Sequence, residues 1–383
     1  MELGLSRFGD LKLNICFGGN MADSDQVQFG RDDRYSRHRF AFSGTAKEYF
    51  GIWIVNVLLT IITLGIYSAW AKVRRNRYLY GNTALADGRF DYHARPIQIL
   101  IGQIIVIGFL ILYNIILSLL PALGLILVLV FIVAFPWLIA RGLRFNARVT
   151  SYRNVRFDFI GQYWGAAKAF FLGPLVAGIT LGICAPIASR WMLRYTLGNL
   201  RYGGRAIKTE PTLGDLYGVW WLPALLTFGG WLLTIVIILP VLVAQITLLS
   251  ESPGAVAGPL GNLTTIVLMY FLLFVVGSVV LSLYSAGVRN VGYSATTFDG
   301  RHYLLSDMPR WQFVWVVISN LIVTIATLGL MRPWATIRMA RFQAAHTEMG
   351  FDGEVGEILS TIKDTGSAVG AEFMDIEGIA VAF

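Results

Sequence analysis

Four long segments that carry no formal charge constrain the fold of this chain most strongly. They cover residues 97–120, 122–140, 220–249 and 263–286. A helix needs about 20 consecutive apolar residues to cross the hydrocarbon core of a bilayer. Each segment meets that length, and the short separations predict two helical hairpins. The sequence therefore predicts a protein that crosses a membrane several times.

The composition agrees with this prediction. Hydrophobic residues make up 56% of the 383 residues and charged residues only 14%, whereas a soluble domain carries about 25% charged residues. The two cysteines, Cys16 and Cys184, are too few and too far apart to indicate a disulfide scaffold or a metal site. The apolar surplus favours an all-α polytopic membrane protein with short juxtamembrane β-strands.

The tripeptide Thr-Leu-Gly divides other apolar segments and indicates a threefold internal repeat. Three of its occurrences end apolar segments, and these begin at Thr63, Thr180 and Thr327. Fourteen residues after each Thr stands an arginine followed by an aromatic residue, and these arginines are Arg77, Arg194 and Arg341. Because the register holds without gaps, we interpret Thr-Leu-Gly as a helix break at equivalent positions of three related segments.

Short aromatic segments with two-residue alternation flank these repeats. They lie at residues 39–44, 89–92, 155–159 and 296–300. Alternation of this kind is typical of β-strands. An open sheet edge cannot face lipid, so we expect these strands to pair with one another outside the bilayer.

The distribution of Lys and Arg predicts the topology, because basic loops stay on the cytoplasmic side. If the three Thr-Leu-Gly segments each cross the membrane, the chain has seven spans and the basic residues divide evenly between the two sides. If these segments are re-entrant or interfacial, all basic loops lie on one side. We therefore favour four full spans, three re-entrant or interfacial segments and two cytoplasmic termini.

This topology divides the chain into seven regions. They are an N-terminal polar extension (1–38), repeat 1 with its strands (39–96), transmembrane hairpin 1 (97–141), repeat 2 (142–216), transmembrane hairpin 2 (217–288), repeat 3 (289–353) and an acidic C-terminal tail (354–383).

The first repeat resembles the YjgN-like bacterial inner-membrane proteins, a family known as a domain of unknown function. The residues that carry the resemblance are Phe42-Ser43-Gly44, Tyr49-Phe50, Leu59 to Tyr67, Trp70, Arg77-Tyr78, Asn82-Thr83 and Gly88-Arg89-Phe90. The resemblance extends over about residues 40–351, but the second repeat has Ile187 where the others have Trp70 and Trp334. It implies an inner-membrane location and no established activity.

The candidate functional residues are polar positions within the apolar segments. The candidates for a helix break or a solute pathway are Thr63, Gly65, Thr180, Gly182, Thr327, Gly329, Asn56 and Asn320. A helix break or a close helix contact is the structural alternative for the Thr-Leu-Gly residues, and an interhelical hydrogen bond is the alternative for the asparagines. Arg77, Arg194 and Arg341 are predicted to anchor helix ends, with anionic lipid headgroups as candidate ligands.

Residues for enzyme chemistry do not form a recognisable pattern. No His, Cys, Asp or Glu spacing matches a metal site, and the basic residues are spread over loops rather than gathered as in a nucleic-acid-binding domain. We therefore predict no cofactor, no nucleic acid and membrane lipids as partners, and the enzyme class is disfavoured. A transporter or channel-like protein is the favoured hypothesis, and a non-catalytic scaffold that binds anionic lipid is the alternative.

Overall fold

The computed structural model describes residues 35–251 and 257–353, and its central element is a closed antiparallel β-barrel of ten strands. Each strand pairs with the next along the chain, and β10 closes the barrel against β1. The strands are β1 (Tyr35–Phe42), β2 (Thr83–Leu85), β3 (Gly88–Tyr92), β4 (Thr150–Tyr152), β5 (Val155–Phe159), β6 (Leu200–Tyr202), β7 (Arg205–Thr209), β8 (Thr296–Phe298), β9 (His302–Ser306) and β10 (Thr347–Asp352).

The prediction of an all-α fold with short accessory strands is wrong, because the strands build this closed barrel. Four of them were recognised in the sequence by their alternating aromatic residues. Three-residue strands such as β2 and β4 are too short to show a period. These short strands pair with the recognised strands on either side of them. Each described strand therefore has two neighbours, since closure of a barrel removes exposed edges.

Every second connection between strands is a pair of antiparallel helices, so five helical hairpins project from the barrel. Their helices are α1 (Ala46–Ile62), α2 (Ser68–Gly81), α3 (Pro96–Leu119), α4 (Pro121–Arg148), α5 (Tyr163–Ala167), α6 (Gly173–Ile179), α7 (Ala185–Thr196), α8 (Leu213–Glu251), α9 (Ala257–Ser294), α10 (Arg310–Ala326) and α11 (Arg332–Ala345). A π-helical segment, Lys168–Leu172, joins α5 to α6. The described part of the chain thus alternates strand pairs with five helical hairpins, and the threefold internal repeat stays a prediction.

The five hairpins form a closed ring on one side of the barrel. Each hairpin packs against the next, through the pairs α2 and α3, α4 and α5, α7 and α8, and α9 and α10, and α11 packs against α1 to complete the ring. The alternation of one strand pair with one helical hairpin places the ring of helices directly above the ring of strands.

The hairpins are of two lengths. Within the described residues, four helices are long and apolar enough to cross a membrane: Pro96–Leu119, Pro121–Arg148, Leu213–Val241 and Ile266–Ser294. These correspond to the four uncharged segments of the sequence. The other three hairpins are shorter, and the 17 residues of α1 extend about 25 Å at 1.5 Å per residue.

Aromatic and aliphatic side chains line the inside of the barrel. The buried core consists of Leu85, Tyr152, Val155, Tyr202, Phe298 and Phe351. The Tyr152 hydroxyl donates to the carbonyl oxygen of Leu85 at 2.6 Å, and the Tyr202 hydroxyl donates to that of Tyr152 at 2.9 Å. Burial raises the pKa of Tyr202, so the hydroxyl stays protonated and keeps its role as a donor.

Candidate functional site

The three Thr-Leu-Gly segments are tight turns at the far ends of the three short hairpins. The leucines have φ between 50° and 52° and the glycines between 89° and 94°, a left-handed conformation that reverses the chain and that glycine adopts without strain. The hydroxyl of Thr63 donates to the carbonyl of Leu59 at 2.7 Å and accepts from the N–H of Tyr67 at 3.0 Å. One side chain thus caps both helices.

The same cap occurs at the other two turns. Thr180 bonds the carbonyl of Val176 and the N–H of Cys184, and Thr327 bonds Val323 and Met331 in the same way. The segments are therefore helix reversals rather than unwound positions within one helix. In the described part of the chain, no hydrogen bond joins one Thr-Leu-Gly turn to another, so the pathway role of Thr63, Gly65, Thr180, Gly182, Thr327 and Gly329 stays a prediction.

The leucine of each turn projects from the protein. Leu64 is 95% exposed, Leu181 is 73% exposed and Leu328 is 94% exposed. An apolar side chain at the tip of a helical hairpin is favourable where the tip lies among acyl chains, because it then avoids contact with water.

The two asparagines named from the sequence connect the helices of their hairpins. Asn320 donates from Nδ2 to the carbonyl of Ala335 at 3.2 Å, and Asn56 makes the equivalent contact to Ala71 at 3.5 Å. Arg338 donates to Oδ1 of Asn320, whereas Oδ1 of Asn56 is buried without a hydrogen-bond partner. One asparagine is thus satisfied, and the other has a free acceptor.

Asn56 lines a cavity of about 500 Å³ between α1, α2 and α11, which we term the basic groove. Its charged lining residues are Lys72, Arg75 and Arg332, and no Asp or Glu lines it. Among the described residues, none of these three cations forms an ion pair. Such a lining attracts anions, because the three charges are not compensated locally.

The basic groove belongs to a series of cavities that share walls. A neck cavity of about 510 Å³ between α2 and α11 shares Leu79, Arg332 and Thr336 with the groove. A barrel cavity of about 560 Å³ shares Tyr80 and Gln343 with the neck cavity. The lining therefore continues from the aromatic interior of the barrel towards the ends of the first and last hairpins.

The three arginines predicted to bind lipid headgroups all contact the protein itself. Arg77 donates to the carbonyl of Tyr92, Arg341 donates to that of Gly44 and Arg194 pairs with Glu210. Each arginine ties the second helix of its hairpin to the end of a neighbouring strand. Lipid binding by these arginines stays a prediction, while their anchoring geometry is part of the fold.

The sequence interpretation missed two equivalents of these anchors in the long hairpins. Arg144 donates to the carbonyl of Phe159, 67 residues further along the chain than the pair Arg77 and Tyr92. Asn290 donates to the carbonyl of Met308 at 2.8 Å. Arg77 and Arg144 each lie 15 residues before the residue whose carbonyl they contact. This spacing was a usable signal, but no Thr-Leu-Gly turn between α3 and α4 marks the long hairpin as related to the short ones.

The basic groove was also missed. Lys72, Arg75 and Arg332 lie on two different hairpins that are distant in sequence, so only the packing of α1 against α11 brings them together. A usable signal was the composition of α2, which has four basic residues and no acidic one. No cluster of His, Cys, Asp or Glu suited to a metal occurs in the part of the chain that the structure describes.

Comparison with known proteins identifies relatives and no structural precedent. The profile of the family described as "Bacterial protein of unknown function (DUF898)" matches residues 37–376. "Inner membrane protein YjgN" of Salmonella typhimurium is 28% identical over 362 residues, covering 82% of this chain and 89% of that protein. The protein of that name from Escherichia coli K12 is 35% identical over 158 residues.

The Escherichia coli match covers 40% of this chain, which spans only 39% of that relative's length. No solved structure matches the chain. The names of the relatives are consistent with an inner-membrane location, and the matches confirm the family resemblance found in the first repeat.

Proposed function

We propose, for a chain that belongs to the DUF898 family of bacterial proteins of unknown function, that it is a multi-pass inner-membrane transporter for small anions. In this proposal the ring of helical hairpins lies in the bilayer and the basic groove binds the solute. The single observation that carries the proposal is the groove itself, which is lined by three cations, Lys72, Arg75 and Arg332, that have no ion-pair partner among the described residues.

The shape of the helix ring supports a membrane-embedded pathway. Two hairpins are long enough to cross a bilayer, and the three short hairpins end in exposed leucines. Charged side chains that lie within the bilayer need a hydrated cavity around them, because charges are costly in contact with acyl chains. The groove offers such a cavity to Lys72 and Arg332.

The charge distribution within the helices supports an anionic solute. Among the described helical residues, acidic side chains occur only at Glu48, Asp215 and Glu251. Lys and Arg lie mostly on the second helix of each short hairpin and near the barrel ends of the long ones. The resulting positive potential raises the local concentration of anions and repels cations.

The proposed orientation has the barrel on the cytoplasmic side. The turns at residues 63–67, 180–184 and 327–331 contain no Lys or Arg, and neither does the connection at Pro121. The strands and the barrel ends of the helices contain many. Basic residues stay preferentially cytoplasmic, which supports a barrel in the cytoplasm and hairpin ends that point into or across the bilayer.

The proposal is tested by anion flux in proteoliposomes that contain the full chain. A potassium diffusion potential drives chloride, nitrate or phosphate, and the flux is compared with that in protein-free liposomes. We expect a saturable anion flux that falls at least about tenfold when Lys72 and Arg332 are both changed to Gln, since each removes a charge from the groove.

The matched control is Arg74→Gln. It removes an exposed charge from the same helix α2, and Arg74 lines none of the three cavities described. We expect this variant to retain wild-type flux. Wild-type protein that passes none of the three anions under either polarity of the potential overturns the proposal, as does a Lys72→Gln, Arg332→Gln variant with unchanged flux.

A scaffold that binds anionic lipid is the second candidate. The lack of a hydrogen bond between Thr-Leu-Gly turns among the described residues favours it, because a scaffold does not need these turns to converge. It predicts that phosphatidylglycerol or cardiolipin copurifies with the protein and is reduced when Arg77, Arg194 and Arg341 are changed together to Ala. Unchanged lipid content in that folded variant rejects this candidate.

A further inference from the structure

We propose that the barrel cavity is a separate binding site for a small carboxylic acid with an apolar body, and that Arg289 binds its carboxylate. This site differs from the basic groove in position and chemistry. It lies inside the mouth of the barrel rather than between helical hairpins, and it does not depend on anion transport by the ring of helices.

The size and walls of the cavity fit a small organic ligand. Its volume is about 560 Å³, within the range of roughly 300–1,000 Å³ typical of ligand pockets. Most of the wall is aromatic, with Phe90, Tyr152, Phe157, Tyr202 and Phe298 among the lining residues. Aromatic faces of this kind pack against apolar and aromatic groups.

The polar groups of the barrel wall are largely occupied by the protein. The hydroxyls of Tyr152 and Tyr202 donate to backbone carbonyls. The hydroxyl of Thr296 donates to the carbonyl of Gly292. A hydrated inorganic anion would therefore lose water in this cavity and find few donors in exchange. The wall favours a ligand that is apolar over most of its surface.

Arg289 is the one charged residue among the described residues that line this cavity. Its Nη1 donates to the Oγ of Ser306 at 3.2 Å and its Nη2 donates to the Oγ1 of Thr347 at 2.8 Å. The guanidinium carbon lies 4.5 Å from the ring centre of Tyr293. These contacts hold the side chain in place through neutral groups only, and no carboxylate among the described residues pairs with it.

A fixed guanidinium without an acidic partner is suited to a carboxylate. It has five N–H donors, of which the two hydroxyls use two. A cation beside an apolar cavity is poorly solvated, and a carboxylate restores its solvation through a charge-assisted hydrogen bond. The single positive charge together with the aromatic wall therefore selects a monocarboxylate over an inorganic anion, an amine or a neutral apolar molecule.

The test is calorimetric titration of the full chain in nanodiscs of zwitterionic lipid with 4-phenylbutanoate. Its neutral isostere, 4-phenylbutanamide, is titrated in parallel, and empty nanodiscs correct for partition into lipid. We expect saturable binding of the acid and at least about tenfold weaker binding of the amide, because only the acid forms a charged hydrogen bond with Arg289.

Three variants make the test specific. Arg289→Gln should lower the affinity for the acid to that for the amide, and Arg289→Lys, which keeps the charge, should retain a preference for the acid. Arg89→Gln removes an exposed charge from β3 outside the cavity and should bind as the wild type does. Equal binding of acid and amide by the wild type overturns the proposal, even where Arg289→Gln fails to fold.

Binding of the acid by a folded Arg289→Gln variant with wild-type affinity also overturns the proposal. Because the titration needs no ion gradient, acid binding without anion flux contradicts only the proposed transport function. Anion flux without acid binding contradicts only the barrel site.

Discussion

Nη1 of Arg338 lies 3.0 Å from Oδ1 of Asn320, and this contact has no counterpart at Asn56, which holds the equivalent position in the first hairpin. The two asparagines are 7% and 8% exposed, so their environments differ in hydrogen bonding rather than in burial. In the last hairpin both side-chain groups of Asn320 join α10 to α11, whereas in the first hairpin Asn56 lines the basic groove.

We therefore predict that Asn320→Ala destabilises the protein more than Asn56→Ala. Asn320→Ala removes an acceptor of the partly buried Arg338 as well as the bond to Ala335, and loss of such partners costs about 1–3 kcal/mol. Asn56→Ala removes only a long contact of 3.5 Å. Thermal unfolding followed by circular dichroism in one detergent compares the two variants. Equal decreases in Tm would contradict the difference assigned to Arg338.

The threonine caps give a second prediction about stability. Thr327→Val keeps the shape of the side chain and loses two hydrogen bonds, to Val323 and from Met331. Each bond contributes about 1 kcal/mol, so we expect a decrease in Tm. Thr324→Val is the matched control, because the Thr324 hydroxyl makes one bond, to the carbonyl of Asn320. A control variant that is less stable than Thr327→Val would show that the double cap is unimportant.

The position of the hairpin tips relative to the bilayer is testable with a spin label. Leu328→Cys is labelled in liposomes after both native cysteines are changed to Ser. If the tip lies among acyl chains, oxygen relaxes the label more than a water-soluble nickel chelate does. Asp87→Cys in the exposed turn between β2 and β3 is the control and should show the reverse order. A tip label with the accessibility of the control would exclude re-entrant hairpins.

The barrel should become less stable in mild acid because of His302. This side chain is fully buried, and burial lowers its pKa below the ordinary value of 6.5, with a further lowering by Arg301 and Arg205 that Asp299 and Asp352 oppose. In the unfolded chain the imidazole binds a proton at higher pH than in the folded chain. The contribution of His302 to the free energy of unfolding is therefore fully present above about pH 6.5, and it decreases as the pH falls towards the lowered pKa.

The measurement for His302 is the Tm of the full chain between pH 7.5 and pH 5.5. His302→Gln cannot be protonated and should lose less Tm over this range than the wild type, although it starts from a lower stability because the N–H of Asp352 donates to Nδ1 of His302 at 3.1 Å. Parallel pH profiles for the two proteins would assign the acid sensitivity to other groups.

The sequence alone determined which segments are apolar helices and where three of the hairpins turn. Uncharged stretches of about 20 residues have the composition and length to cross a membrane. In the turns at 63–65, 180–182 and 327–329 the glycine accepts φ near 90° and the threonine caps both helices, whereas the Thr-Leu-Gly copies at 196–198 and 212–214 do not join two helices. The aromatic alternation of 89–92 and 155–159 likewise indicated strands from local pattern alone.

Only the tertiary structure decided that these strands close into a barrel and that the basic groove exists. Closure requires β1 to pair with β10, where Arg39 lies opposite Glu348, a contact between residues 309 positions apart. Lys72 and Arg332 meet because the closed ring packs α1 against α11. Hydrophobic periodicity specifies which face of an element is buried but not which partner buries it, so distant pairings of this kind depend on the packing of the whole chain.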